Sequence, residues 1–261
     1  VLAKYPLLRE YLIYGEMGGE VRDFPPHAEL MRRLELVDYE PASDLGHFRF
    51  YPKGTILKKS LEEFATKLAH EIGSVLIETP EMYKLEGDIA EQVARFVEKD
   101  YRFEIGGKRF VLRFAADFGL FKMMSSATLS YKNLPLRVYE LSKSFRYEKS
   151  GELSGLRRLR SFTMPDIHTF CRDLREGMEE YKWLLLNYKR LADSMQIDYV
   201  LVFRVVERFY EENKHWFEEM IREVGMPALI ELVEIVPRTG RGSIPHLIIK
   251  RSSNKGITFL R

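Results

Sequence analysis

Six cations and two anions crowd residues 143–160: Lys143, Arg146, Lys149, Arg157, Arg158 and Arg160 against Glu148 and Glu152, a local charge of +4 in a chain whose total is +2. Arginine's planar fork grips a phosphate through two parallel hydrogen bonds. A side chain two residues along a strand shares the same face. Arg146 and Glu148 are therefore expected to point the same way, one toward a phosphate and the other toward the amino group of a base. Phe162, on a return strand, offers a ring for stacking. Two readings fit this charge pattern: a solvated basic hairpin, or a loop that holds a phosphorylated ligand.

The elements that must carry these residues can be read from periodicity and turn residues. Residues 1–15 and 27–36 read as short amphipathic helices, with the Pro25-Pro26 pair ahead of the second. Pro41 to Gly54 is turn-rich. Ile56, Leu57, Leu61, Phe64, Leu68 and Ile72 then keep a helical spacing that Gly73 stops. A strand is expected over 74–79, ending at Pro80, and a helix over 86–99. Tyr101–Ile105 and Lys108–Phe114 flank Gly106-Gly107, which marks a tight hairpin. Further strands are expected over 136–141, 161–170 and 199–205, and helices over 173–195 and 207–224. Hairpins combined with long helices favour an α+β fold with an antiparallel sheet flanked by helices. The expectation is one domain over residues 1–261.

Composition excludes several classes. The 261 residues are 45% apolar and 31% charged, which is a folded chain. One cysteine, Cys171, excludes an internal disulfide and every multi-cysteine zinc module; placed in a strand three residues after His168, it is expected to face the opposite side, as a buried structural residue. No apolar run is long enough to cross a bilayer, and the N-terminal residues carry no signal-peptide segment, so a cytoplasmic location is expected.

Phe145-Arg146-Tyr147-Glu148, the loop Ser150 to Leu156, then Arg158, Arg160, Phe162 and Thr163-Met164-Pro165-Asp166-Ile167-His168 resemble motif 2 of the class II aminoacyl-tRNA synthetases, and most closely the threonyl-tRNA synthetases of the archaeal type. Pro52-Lys53-Gly54 with the following helix and strand resembles motif 1, the family's dimerisation element. Leu112 to Gly119 and Leu134 to Arg137 match as well, and the resemblance runs from residue 25 to 232. It implies threonine–tRNA ligase chemistry: ATP-dependent activation of threonine, then transfer to tRNA, with ATP and Mg²⁺ required. In that reading Arg146 is the catalytic arginine on the α-phosphate. Glu148, Arg158 and Phe162 bind the rest of ATP, and Ala115 and Asp166 line the amino-acid pocket. A homodimer through residues 55–80 is implied, and no membrane partner.

The same resemblance implies Zn²⁺ held by one cysteine and two histidines. His168 matches one histidine, but Asp117 stands at the cysteine position and Lys250 at the second histidine; His246 substitutes only in another register. Residues 233–261 diverge from the family or stop short of it. Motif 3 is not recognisable there; Gly256 and Arg261 resemble it loosely, beside the alternative of an exposed basic tail. No anticodon-binding or editing domain is expected within these 261 residues. These departures leave two alternatives open: a paralogue that binds nucleotide, tRNA or a partner synthetase without completing the reaction, and an enzyme for an amino acid whose amino group pairs with carboxylates.

Overall fold

The computed structural model describes residues 4–13, 25–94, 99–233, 246–251 and 258–260, the last two segments as backbone only. The expected helix residues 1–3, 14–15 and 95–98, and the motif 3-like Gly256 and Arg261, lie outside the described residues. The chain forms two compact units, one of Pro25–Gly177 and one of Val1–Phe24 with Met178–Arg261. Helix α1 (Pro6–Tyr11) belongs to the second of these.

The Pro25–Gly177 unit begins with α2 (Pro26–Arg33), which has proline in its first turn, where no helical N–H is lost. Strands β1 (Val37–Tyr39) and β2 (Phe48–Phe50) pair antiparallel across a stretch that the sequence marks only as turns. Helix α3 (Pro52–Glu71) starts two residues before Gly54. A Cβ at Gly54 would lie 2.0 Å from Leu36 O, so only glycine lets the helix pass this close to the preceding backbone. Strand β3 (Val75–Leu76) is shorter than the expected 74–79: Ile77 N–H still donates to Tyr139 O (2.9 Å), but Thr79 N–H turns to the Glu140 carboxylate, 3.1 Å away.

Strand β4 (Met82–Lys84) and helix α4 (Gly87–Ala94) precede the hairpin of β5 (Arg102–Ile105) and β6 (Lys108–Leu112). Gly106 and Gly107 both have positive φ (57° and 72°), as that two-residue turn demands. Together the strands form an antiparallel sheet ordered β4–β6–β5. Ile89, Val93, Val111, Phe114 and Phe118 build the core over it. Helix α5 (Asp117–Ser125) follows. The third sheet holds two long strands, β7 (Leu136–Phe145) and β8 (Ser161–Phe170), paired antiparallel over their full length, with β3 parallel on the other side of β7.

In the other unit, α6 (Leu174–Ser194) leads to β9 (Val200–Val206), an apolar run buried on both faces. Leu8 and Tyr11 of α1 cover Val200 and Val202. On the Leu201, Phe203 and Val205 side lie Leu185 of α6 and Phe217, Met220 and Val224. The expected helix 207–224 is two helices, α7 (Glu207–Glu212) and α8 (Lys214–Val224), because Asn213 leaves helical geometry and donates from its side chain to Phe209 O (2.8 Å). Strands β10 (Ala228–Val233), β11 (His246–Arg251) and β12 (Thr258–Leu260) complete a sheet ordered β10–β9–β11–β12, in which β9 and β10 are parallel. The architecture is α+β with mostly antiparallel sheets, and the two parallel pairs are the part that periodicity did not reveal. Among the described residues no helix is long and apolar enough to cross a membrane.

Candidate active site

The long β7–β8 ribbon places the motif residues. Its register sets Ser144 opposite Phe162, Glu140 opposite Asp166 and Val138 opposite His168. These even-numbered residues share one face. Phe162 and Asp166 are four residues apart on β8, about 13 Å at the strand rise, roughly the reach from a nucleotide base to an amino acid joined at the α-phosphate.

At one end of that face the Arg146 guanidinium lies over the Phe162 ring, 5.0 Å from its centroid, and donates through Nε to Phe114 O (3.1 Å). Arg146 and Glu148 do not share a strand face. The strand ends at Phe145, and Glu148 N–H donates back to Arg146 O (2.8 Å), closing a tight turn that cancels the alternation. Glu148 is instead buried, 6% exposed, and its Oε2 accepts from both Lys99 and Arg158 at 2.9 Å. Burial pushes this carboxyl upward, but the hydrogen bonds from Lys99, Glu152 and Arg158 outweigh it and hold it below the usual range. Arg158 also pairs with Glu152 (3.2 Å). Arg160, at 5% exposure, donates to Glu148 O (2.8 Å) and Asp44 Oδ1 (2.5 Å). A solvated basic hairpin does not bury an arginine and a glutamate this way, so that reading is set aside.

The loop between the strands rests on His27. Leu156 N–H donates to His27 Nε2 (3.0 Å), and Gly155, at φ 49°, comes so near that a Cβ there would lie 2.5 Å from Nε2. An accepting Nε2 is an unprotonated one. Burial, then the Arg157 charge, keeps this imidazole below the ordinary value of 6.5. The unfolded chain therefore takes up the proton first, and the stabilisation present above 6.5 is lost as pH falls below it. Melting temperature is expected to fall more between about pH 7.5 and about pH 5.5 in the wild type than in His27→Gln, whose amide oxygen accepts at both. Equal slopes would remove His27 from the loop's stability.

At the other end of the face, Asp117, Asp166 and His168 bring one ligand atom each within 4.8 Å of one another. His168 Nε2 lies 3.4 Å from Asp117 Oδ1, and Nδ1 lies 3.6 Å from Asp166 Oδ1. Burial lowers the affinity of His168 for a proton, but the two carboxylates more than offset it, so its pKa is raised. Burial, with the charges of Asp117 and Glu140, pushes Asp166 above its usual range against the pull of His168. Phe121 sets its ring edge against His168 (5.8 Å). Ala115 is half-buried and packs on the Val111–Phe118 core, two residues before Asp117. Cys171 is half-buried rather than buried, because β8 ends at Phe170 and its Sγ rests 3.9 Å from Thr169 O. The backbone of β11 sets His246 opposite Arg204 and Lys250 opposite Val200, and both side chains lie outside the described residues.

Lys99, Arg113, Glu140 and Thr79 surround these groups, and the sequence assigned none of them a role. Lys99 reaches Glu148 from 49 positions away, and Arg113 reaches Glu140 from 27. No local spacing encodes such contacts.

A two-stranded ribbon bearing an arginine on an aromatic ring, with an acidic group four residues along, is the arrangement expected of a class II synthetase core. The profile of the tRNA synthetase class II core domain (G, H, P, S and T) matches residues 101–236, and the chain belongs to that family. Within it, the chain is 45% identical over 237 residues to the threonine–tRNA ligase of Thermococcus kodakarensis, covering 86% of this chain and 37% of that one. It is 40% identical over 242 residues to the threonine–tRNA ligase of Methanopyrus kandleri, covering 89% and 39%. The chain thus spans well under half the length of these relatives. A threonyl-tRNA synthetase RNA binding domain structure from Cryptosporidium parvum shares the fold with a TM-score of 0.75 at 20% identity, over 89% of this chain and 59% of that one. Giardia lamblia prolyl-tRNA synthetase, solved with prolyl-adenylate, does so with 0.57 at 21% identity, over 68% and 37%.

Proposed function

We propose that this chain is the catalytic core of a threonine–tRNA ligase, which activates threonine with ATP and transfers it to tRNA. The observation that carries this reading is the shared face of β7 and β8, with Arg146 on Phe162 at one end and the Asp117–Asp166–His168 group at the other. In the reaction a carboxylate oxygen of the amino acid attacks the α-phosphorus, a P–O bond forms, and pyrophosphate leaves with the electron pair of the bond broken. No proton need move at the reacting atoms, so catalysis is positioning plus cationic stabilisation of the developing charge. Arg146 would hold the α-phosphate, Phe162 and Glu148 the base, and Arg158 the phosphate tail. Mg²⁺ would neutralise charge on the nucleotide's phosphates when bound. Asp166 would receive the amino group. The test is threonine-dependent exchange of pyrophosphate into ATP; exchange with no amino acid would overturn the proposal.

The acidic group fits a divalent ion. Two donors of one tetrahedral ion with ~2 Å bonds stand about 3.3 Å apart, close to the 3.4 Å between His168 Nε2 and Asp117 Oδ1. Asp117 and His168 would hold zinc, with Asp166 beside the ring, and the ion would supply Lewis-acid binding of the substrate's amino and hydroxyl groups. A carboxylate in place of a thiolate is a harder, weaker zinc donor. Elemental analysis of the purified protein is expected to find zinc that Asp117→Ala and His168→Ala each deplete. Equal zinc in all three would place it elsewhere.

A homodimer is proposed through α3 and β3. Ile56 (67% exposed), Leu57, Leu61 and Phe64 form an apolar stripe on α3, and Val75 and Leu76 are uncovered too. Contiguous exposed apolar stripes are the kind of surface that interfaces use. Light scattering is expected to give a dimer for the wild type and a monomer for Leu57→Asp/Leu61→Asp; a monomeric wild type at micromolar concentration would contradict it.

A second reading, a paralogue that binds nucleotide or tRNA without completing the reaction, rests on Asp117 standing at the thiolate position. It requires ATP binding without exchange.

A further inference from the structure

Beneath the acidic group lies a buried ion pair that the proposed chemistry does not use. Arg113 and Glu140 have side-chain exposures of 3% and 5%. Arg113 Nη1 donates to Glu140 Oε1 (2.6 Å), Thr79 Oγ1 (2.7 Å) and Thr79 O (3.1 Å), while Nε donates to Lys143 O (2.6 Å). Thr79 closes the triangle, with its hydroxyl 3.0 Å from Glu140 Oε2 and its N–H on Oε1. Buried charges are costly, and an apolar pair of like volume often folds as well. Folding alone therefore does not account for this pair.

Its partners do. Glu140 is the direct cross-strand neighbour of Asp166, two carboxylates side by side on one face. Such a pairing repels unless a cation offsets it, and Arg113 is that cation. Thr79, locked by the same two charges, is the surface on which α5 lands: a Cβ at Gly119 would meet Thr79 Oγ1 at 2.2 Å. Asp117 is the first residue of that helix. One triad thus touches both walls of the pocket, Asp166 through the strand register and Asp117 through the Thr79–Gly119 contact.

We infer that Arg113, Glu140 and Thr79 are positioning residues that fix the separation of Asp117 from Asp166 and His168, and so set the affinity of the pocket for the amino acid. This inference rests on the proposed role of that pocket in threonine activation. The decisive variant is Arg113→Met/Glu140→Leu, which keeps volume and removes both charges together. It is expected to melt cooperatively and to raise the KM for threonine about tenfold or more in pyrophosphate exchange, with the KM for ATP within about twofold; a 1 Å displacement of a binding group carries effects of that order or larger. Met220→Ala, a core truncation in the other unit, is expected to lower the melting temperature without changing either KM. A threonine KM unchanged in the double variant would overturn the positioning role and leave the pair a structural staple. Should the double variant not fold, Thr79→Val carries the same test, since it keeps shape and removes the hydroxyl that links the charges to α5: an unchanged threonine KM overturns the role. A wild type that exchanges with no amino acid would instead overturn the reading beneath it.

Discussion

Replacing Arg146 by alanine is expected to slow threonine-dependent pyrophosphate exchange about 10²–10³-fold, the usual effect of removing one preorganised donor from developing charge. The melting temperature should move little, because Arg146 is half-buried and lies beyond the end of β7. Arg146→Lys is expected to recover little. An ammonium supplies a point charge, not a planar fork that can stack on Phe162 and hold two phosphate oxygens together. Steady-state exchange kinetics with a thermal melt on the same samples checks both halves. A variant with wild-type exchange would remove Arg146 from the chemistry, and one that loses exchange only by unfolding would make it structural.

Gly119→Ala is the second large effect. The new Cβ would lie 2.2 Å from Thr79 Oγ1, 2.3 Å from Thr79 Cβ and 2.5 Å from the Tyr83 hydroxyl. Thr79 cannot yield easily, since Arg113 and Glu140 hold it from three directions. The helix must move instead, at about 1–3 kcal/mol for an overpacked core, or a melting temperature lower by about 3–10 °C at this chain length. Asp117 moves with the helix, so the KM for threonine should rise while the KM for ATP stays near that of the wild type. Equal stability and equal KM values would show that α5 tolerates the displacement.

Legibility in the sequence followed the range of the interactions. The hairpin at Gly106-Gly107 needs two adjacent residues with positive φ, a local demand that glycine announces. Helix α3 announced itself by spacing, and the same spacing concealed that Ile56, Leu57 and Leu61 are exposed, because an apolar stripe looks alike whether it meets a core or a second chain. The motif residues were legible as a set but not in arrangement. Strand alternation placed Glu148 beside Arg146, whereas the turn closed by Glu148 N–H carries its carboxylate to Lys99 and Arg158. The strand expected over 74–79 stops early, and a carboxylate 61 residues away takes the Thr79 amide. Arg113 lies in a matched run and Thr79 in an expected strand, but nothing local links them to Glu140, since the three meet only once separate strands and turns have been assembled. Asp117 was legible as a substitution, and its meaning depended on His168 and Asp166 standing close enough to share a ligand.

The central claim is that this core joins threonine to the α-phosphate of ATP. Incubating the protein with ATP and each of the twenty amino acids, then detecting aminoacyl-adenylate by mass spectrometry, tests it most directly. The expected result is threonyl-adenylate, with pyrophosphate released in equal amount and neither product formed by Arg146→Ala. ATP left intact with every amino acid, or an adenylate formed with another amino acid and not with threonine, would contradict it.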